Sequence, residues 1–186
     1  MTHSFLLLAF LLLATPHISA QPPPPAPPPS PPLPPPSPAS PLPAAAQEFL
    51  DAHNEARTEV GVPPLRWSPN LAAATSRLVR YQRDRMSCSF ANLTASSFGG
   101  NQLWAGGAGT ALAPRAAVGA WVKEKIYYDH ASNTCAAGHQ CGVYTQVVWR
   151  NSSEVGCAQA RCLKEAASLT ICFYNPPGNV VGERPY

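Results

Sequence analysis

The apolar positions of this chain keep helical spacing in its first half and gather into strand-like runs near its end. Over residues 47–60, Phe49, Leu50, Ala56 and Val60 share roughly one helical face, and Gly61 with Pro63 and Pro64 ends the segment, so a first helix is predicted there. Ser68 then stands as an N-cap before Pro69, which suits the first helical position, and Leu71, Ala74, Leu78 and Tyr81 continue a second helix towards Arg85. Residues 87–113 are rich in Gly, Ser and Ala and read as mostly loop. Loops of that length are uncommon unless they carry function. Pro114 opens a third helix with Val118, Trp121, Val122 and Lys125 on one side, and a Cys-bounded loop follows it. Residues 143–149, 155–161 and 169–174 are strand candidates, each rich in residues that favour a pleated surface. Helices first and neighbouring strands last predict an α+β layered domain with an antiparallel sheet, and no internal repeat is visible.

Two stretches precede that domain. Residues 1–20 read as a signal peptide, because the apolar run at 5–14 is too short to span a bilayer and ends towards a small-residue site at Ile18-Ser19-Ala20. The segment before the run carries His3 but no Lys or Arg, which is a weak point of that reading. Residues 21–46 form a proline tract with Ser and Ala spacers. Proline fixes φ and lacks an amide hydrogen, so the tract is read as a disordered, solvated arm of polyproline II character. The arm is a passive spacer or an attachment to a wall or matrix; its Ser-Pro and Pro-Pro pattern resembles the hydroxyproline-rich arms of plant cell-wall proteins. Residues 47–186 remain as the folded domain.

Charge and cysteine narrow the function classes. Every charged residue lies at or after Glu48, and the formal net charge is +3. That is mildly basic, without the clustered run that nucleic acid would require, and no later stretch is apolar enough to span a membrane. Six Cys, at 88, 135, 141, 157, 162 and 172, read as three disulfides in an exported chain. Spacing alone leaves fifteen connectivities open. The spacing fits no metal-binding Cys pattern, paired Cys leave no thiol nucleophile, and no Gly-x-Ser-x-Gly elbow occurs.

Three stretches together resemble the plant pathogenesis-related class 1 branch of the CAP superfamily (cysteine-rich secretory, antigen 5, pathogenesis-related 1; the SCP domain). They are Leu50-Asp51-Ala52-His53-Asn54-Glu55-Ala56-Arg57 running on to Leu65-Arg66-Trp67, then Tyr144-Thr145-Gln146-Val147-Val148-Trp149-Arg150-Asn151 with Gly156-Cys157, and finally Cys172-Phe173-Tyr174-Asn175-Pro176-Pro177-Gly178-Asn179 closing on Pro185-Tyr186. The resemblance implies a three-layer α-β-α sandwich. It also implies the bridges Cys88–Cys162, Cys135–Cys141 and Cys157–Cys172. Members of the superfamily commonly hold two His and two Glu in a central cleft, a set suited to zinc. Carried over, those positions are Asn92, Gly100, Glu124 and Val143, so only Glu124 keeps a ligand; His53, His130 and His139 are the substitutes to consider.

The resemblance therefore implies a secreted, non-enzymatic defence protein of the apoplast or cell wall, without a cofactor and monomeric. A metal-dependent secreted hydrolase and a structural wall protein are the alternatives. A sterol or lipid ligand is implied near the loop that Cys135 and Cys141 close, though composition gives no sign of it. Asn92 and Asn151 open N-glycosylation sequons. Some plant members release a carboxyl-terminal peptide, and the matching junction here is Asn175-Pro176. Release of that tail and its packing back on the domain are both open at this stage.

Overall fold

The computed structural model describes residues 41–94, 96–107 and 112–186, so the expected signal peptide and most of the proline arm lie outside the described residues. Helix α1 is Ala44–Glu59, starting three residues before the expected Gln47. Pro43 at its N-cap has no amide to satisfy, and the three alanines that follow are the strongest helix formers. Its inner face is Phe49, Ala52, His53, Ala56 and Arg57. After strand β1, Arg66–Trp67, comes α2, Pro69–Arg85, with proline in the first turn as expected. Ser68 makes no side-chain cap; it is buried, and its amide donates to Val155 O at 2.8 Å, joining the sheet instead. The face of α2 that turns inward is Leu71, Thr75, Val79 and Gln82, whereas Tyr81 is 55% exposed.

Strand β2, Gly99–Gly106, occupies the stretch expected to be loop. Its own residues carry little strand pattern. What makes it a strand is an unbroken antiparallel ladder with β6, from Gly99 opposite Tyr174 to Gly106 opposite Ala167. The third helix ends sooner than its apolar stripe suggests: α3 is Pro114–Val122, and Lys123–Tyr127 tighten into a 3₁₀ turn. A small hairpin pairs β3, Tyr128–Asp129, with β4, Thr134–Cys135.

The expected strand at 143–149 is instead helix α4, Gly142–Val147. Val143, Val147 and Val148 favour a strand by propensity, but Tyr144, Val147 and Val148 are buried at helical spacing against α1 and α3, and tertiary burial overrides the local preference. Strands β5, Glu154–Cys162, and β6, Ala167–Asn175, fall where the sequence places them.

The sheet order is β1-β5-β6-β2, antiparallel except for the short parallel pairing of β1 with β5. Two cores lie on its two faces. Leu71 and Val79 of α2 pack with Leu169, Ile171 and Phe173; on the other face α1, α3 and α4 pack Phe49, Val118, Trp121, Tyr144 and Val147 over Val155 and Tyr174. The alternation of Ile171 and Phe173 with Cys172 and Tyr174 feeds both. Helix α2 presses so close that a Cβ at Gly156 would sit 2.2 Å from the Ala72 nitrogen, so only glycine fits there. Cys157 and Cys172 face each other in the β5–β6 register and are bridged; Cys88–Cys162 ties the end of α2 to the end of β5, and Cys135–Cys141 closes the loop before α4.

Candidate functional site

The four cleft positions are brought to β2, the 3₁₀ turn, the start of α4 and the loop before β2, and only one offers a metal ligand. Asn92 is exposed and spends its Oδ1 on its own loop, accepting from the Thr94 amide at 3.0 Å and the Thr94 hydroxyl at 2.6 Å. At Gly100 a Cβ would lie 2.6 Å from Leu93 Cδ1, so Leu93 fills the space that a longer side chain there would need. Val143 is half-buried against the core and accepts a hydrogen bond from Asn101 Nδ2 on its carbonyl at 2.9 Å. Glu124 is half-buried. Desolvation raises its pKa, opposed by the amides of Val143 and Tyr144 in the first turn of α4, which favour the carboxylate. Its Oε2 is buried with no partner.

The substitute histidines do not complete a set. His139 stacks on Tyr127 with ring centroids 3.7 Å apart, and His130 stacks on Tyr186 at 4.4 Å. Among the described residues one group of three with ligand atoms comes together, namely His53, Cys157 and Cys172. Its cysteines are bridged to each other. His53 is also fully used: Nδ1 lies 2.7 Å from the Phe49 carbonyl and so must carry the proton, leaving Nε2 to accept from the Tyr174 hydroxyl at 2.8 Å. Asn101 Nδ2 in turn donates to that hydroxyl at 3.2 Å. The donor set does not fit zinc, which needs three or four protein ligands.

That same buried chain of groups holds the site's walls together. Asn101 of β2 reaches both Tyr174 of β6 and the Val143 carbonyl of α4, while Tyr174 reaches His53 of α1. Beside it Arg57 is fully buried without a carboxylate partner; it donates to the carbonyls of Pro63, Val147, Trp149, Arg150 and Ser152 at 2.7–3.4 Å. Burial pushes its pKa down to about 10, so it stays charged at neutral pH. Sequence reasoning gave Arg57, Asn101 and Tyr174 no role. The only local hint was that Arg57 falls at helical spacing with Phe49, Ala52 and Ala56 on the inner face of α1.

An apolar recess of about 420 Å³ opens beside Glu124, lined among others by Gly119, Val122, Ile126 and Tyr127, with Ile126 73% exposed. It borders the bridged loop, since Tyr127 stacks on His139 and accepts from the Ala136 amide at 2.8 Å. The carboxyl tail leaves β6 at Asn175 and folds back. Gly178 N donates to Gln146 Oε1 at 3.1 Å, Thr145 donates to Asn179 Oδ1 at 2.7 Å, and Arg150 N donates to the Pro185 carbonyl at 2.7 Å. A Cβ at Gly178 would meet Trp149 Cγ at 2.6 Å, so the tail runs flush against α4. Tyr186 meets Tyr144 hydroxyl to hydroxyl at 3.1 Å, and Arg184 donates to the His130 carbonyl. Val180 and Val181 are exposed, so the docking is carried by Pro185 and Tyr186 rather than by the valines. Asn92 and Asn151, the two sequon positions, are both exposed.

Residues 50–174 match the model of the CAP, or cysteine-rich secretory protein, family. The STS14 protein of Solanum tuberosum is 63% identical over 142 residues, which cover 76% of this chain and 65% of that protein, just under two thirds of its length. Pathogenesis-related protein 1B of Nicotiana tabacum is 46% identical over 140 residues, covering 75% of this chain and 80% of that one. Among solved structures, venom allergen-like protein 4 of Schistosoma mansoni superposes with a TM-score of 0.57 at 24% identity, over 78% of this chain and 95% of that chain, a likeness of fold.

Proposed function

The chain belongs to the plant pathogenesis-related class 1 type of the CAP family, and from that premise we propose that it is a secreted defence protein that acts by binding rather than by catalysis. The observation that carries this reading is the state of the cleft. Of the four positions at which a cation would be held, Glu124 alone bears a ligand, and it faces the first-turn amides of α4.

The ligand we propose is a sterol or a similar lipid with an apolar body and one hydroxyl. The recess has the size range of a small-molecule site, and its lining combines Val122, Ile126 and Tyr127 with Glu124, the one carboxylate among the lining residues and an acceptor for a ligand hydroxyl. Titration with a fluorescent sterol should give saturable binding. Glu124→Gln, which offers one acceptor oxygen in place of two, and Ile126→Asp, which puts a charge on the apolar wall, should each weaken it by roughly tenfold or more. Binding untouched by both changes would place the ligand elsewhere.

The tail contacts support the intact domain as the acting species. A peptide of residues 176–186 would have to be stripped from Gln146, Thr145, Arg150 and Tyr144 before it could leave. Recovery of that fragment as the main form in extracellular fluid would overturn this part of the reading.

A further inference from the structure

We propose that the groove between the end of α2 and the β5–β6 turn binds a linear acidic polysaccharide through the carboxylates of successive sugar units. The groove has a volume of about 460 Å³. One wall carries Arg83 and Arg85 from the last turn of α2, and the other carries Arg161 and Lys164 from the end of β5 and the turn. Arg80 lies within electrostatic reach of Asp84 on the first wall. Asp84 is held by Arg83 through two hydrogen bonds, at 2.7 and 3.1 Å, and Glu165 is the second acid of the groove.

The charge balance singles out this place. Among the lining residues Arg83, Arg85, Arg161 and Lys164 stand against Asp84 and Glu165, an excess of two out of a formal net charge of +3, with Arg80 just outside the lining and within electrostatic reach of Asp84. No local pattern announces the groove, because its charges come from two segments about 75 residues apart that only the fold brings together. Both walls are also fixed relative to each other. Cys162 lines the groove and is bridged to Cys88, the neighbour of the lining residue Ser87. Ser87 and Cys88 sit at φ of 48° and 56°, a left-handed pair that non-glycine residues adopt only where the surroundings impose it. A preorganised trough loses little freedom on binding.

The shape decides between polyanions. A bilayer cannot enter a concavity, whereas a single polymer chain can lie along it. Planar guanidinium groups match carboxylates in bidentate pairs, and Leu163, 82% exposed beside them, offers an apolar face for a sugar ring. The proposal rests on the extracellular reading only for where such a polymer is met, so binding measured with purified protein fails or succeeds independently of that reading.

The test uses the intact, disulfide-bonded protein and a de-esterified polyuronate, with its fully methyl-esterified form and phosphatidylserine vesicles as comparisons. The expected result is saturable binding to the free-acid polymer alone, weakened by salt as exposed charge pairs are screened. The double reversal Arg85→Glu, Lys164→Glu should weaken it by roughly tenfold or more, while Arg66→Glu, Lys123→Glu, which makes the same change in net charge outside the groove, should leave it within about twofold. Unchanged melting temperatures exclude misfolding as the cause. Equal losses in the two double variants, equal binding of the esterified polymer, or tighter capture by the vesicles would each overturn the proposal.

Discussion

Replacing Arg57 with methionine should cost the domain about 3–5 kcal/mol, a fall of about 10 °C or more in the melting temperature. Methionine keeps part of the side-chain volume but removes every donor, and it leaves the carbonyls of Pro63, Val147, Arg150 and Ser152 facing an apolar group, while the Trp149 carbonyl keeps only the Ser152 amide at 3.1 Å. Buried acceptors without partners cost more than the hydrogen bonds they lost had contributed. Those carbonyls belong to the turn after α1 and to the end of α4 with the connection to β5, so the loss falls on the segments that also seat the tail. Arg57→Lys should lose less, because an ammonium keeps the charge and three of the five donors. Urea unfolding at neutral pH reads both, and a loss below about 1 kcal/mol for the methionine variant would show that water satisfies the carbonyls instead.

A second large effect should appear on acidification. His53 is wholly buried and held neutral, with its pKa lowered from 6.5 to about 4, first by burial and with a smaller push from Arg57. In the unfolded chain it titrates normally. Between those two values the unfolded state binds the extra proton, so stability rises with pH through the window; the contribution is complete above about 6.5 and is lost progressively as pH falls to about 4. The shift corresponds to roughly 3 kcal/mol. Glu124, whose pKa is raised, contributes in the opposite sense, losing stability as pH rises. Comparison with His53→Gln isolates the histidine, since a glutamine can donate to Phe49 O and accept from Tyr174 without titrating. The variant should show a stability curve flatter by that amount from pH 6.5 down to 4. Parallel curves for the two proteins would mean that His53 takes up its proton alike in the folded and unfolded chains, and that burial does not hold it neutral.

Both effects come from residues whose partners are remote in the chain, and this marks where sequence reading stopped. Helices α1 and α2 and strands β5 and β6 were legible because their apolar residues keep a period over many positions. Strand β2 was not, because Gly99 to Gly106 owe their conformation to the ladder offered by β6. Helix α4 was misread because three valines favour a strand locally, while burial of Tyr144, Val147 and Val148 at helical spacing decided otherwise. The expectation that Asn92, Gly100 and Val143 stand at ligand positions of the family came only from the resemblance. The chain from Asn101 through Tyr174 to His53 joins residues 73 and 121 positions apart, and no local pattern announces such contacts.

The proposed binding role stands on a cleft that takes up no cation. Thermal unfolding with and without added zinc tests it most directly, because a ligand bound only to the folded state must raise the melting temperature by mass action. The predicted result is no rise at zinc concentrations well above those that saturate structural sites, in the wild type and in Glu124→Ala alike. A zinc-dependent rise in the wild type that disappears in Glu124→Ala would contradict the claim and return the cleft to metal chemistry.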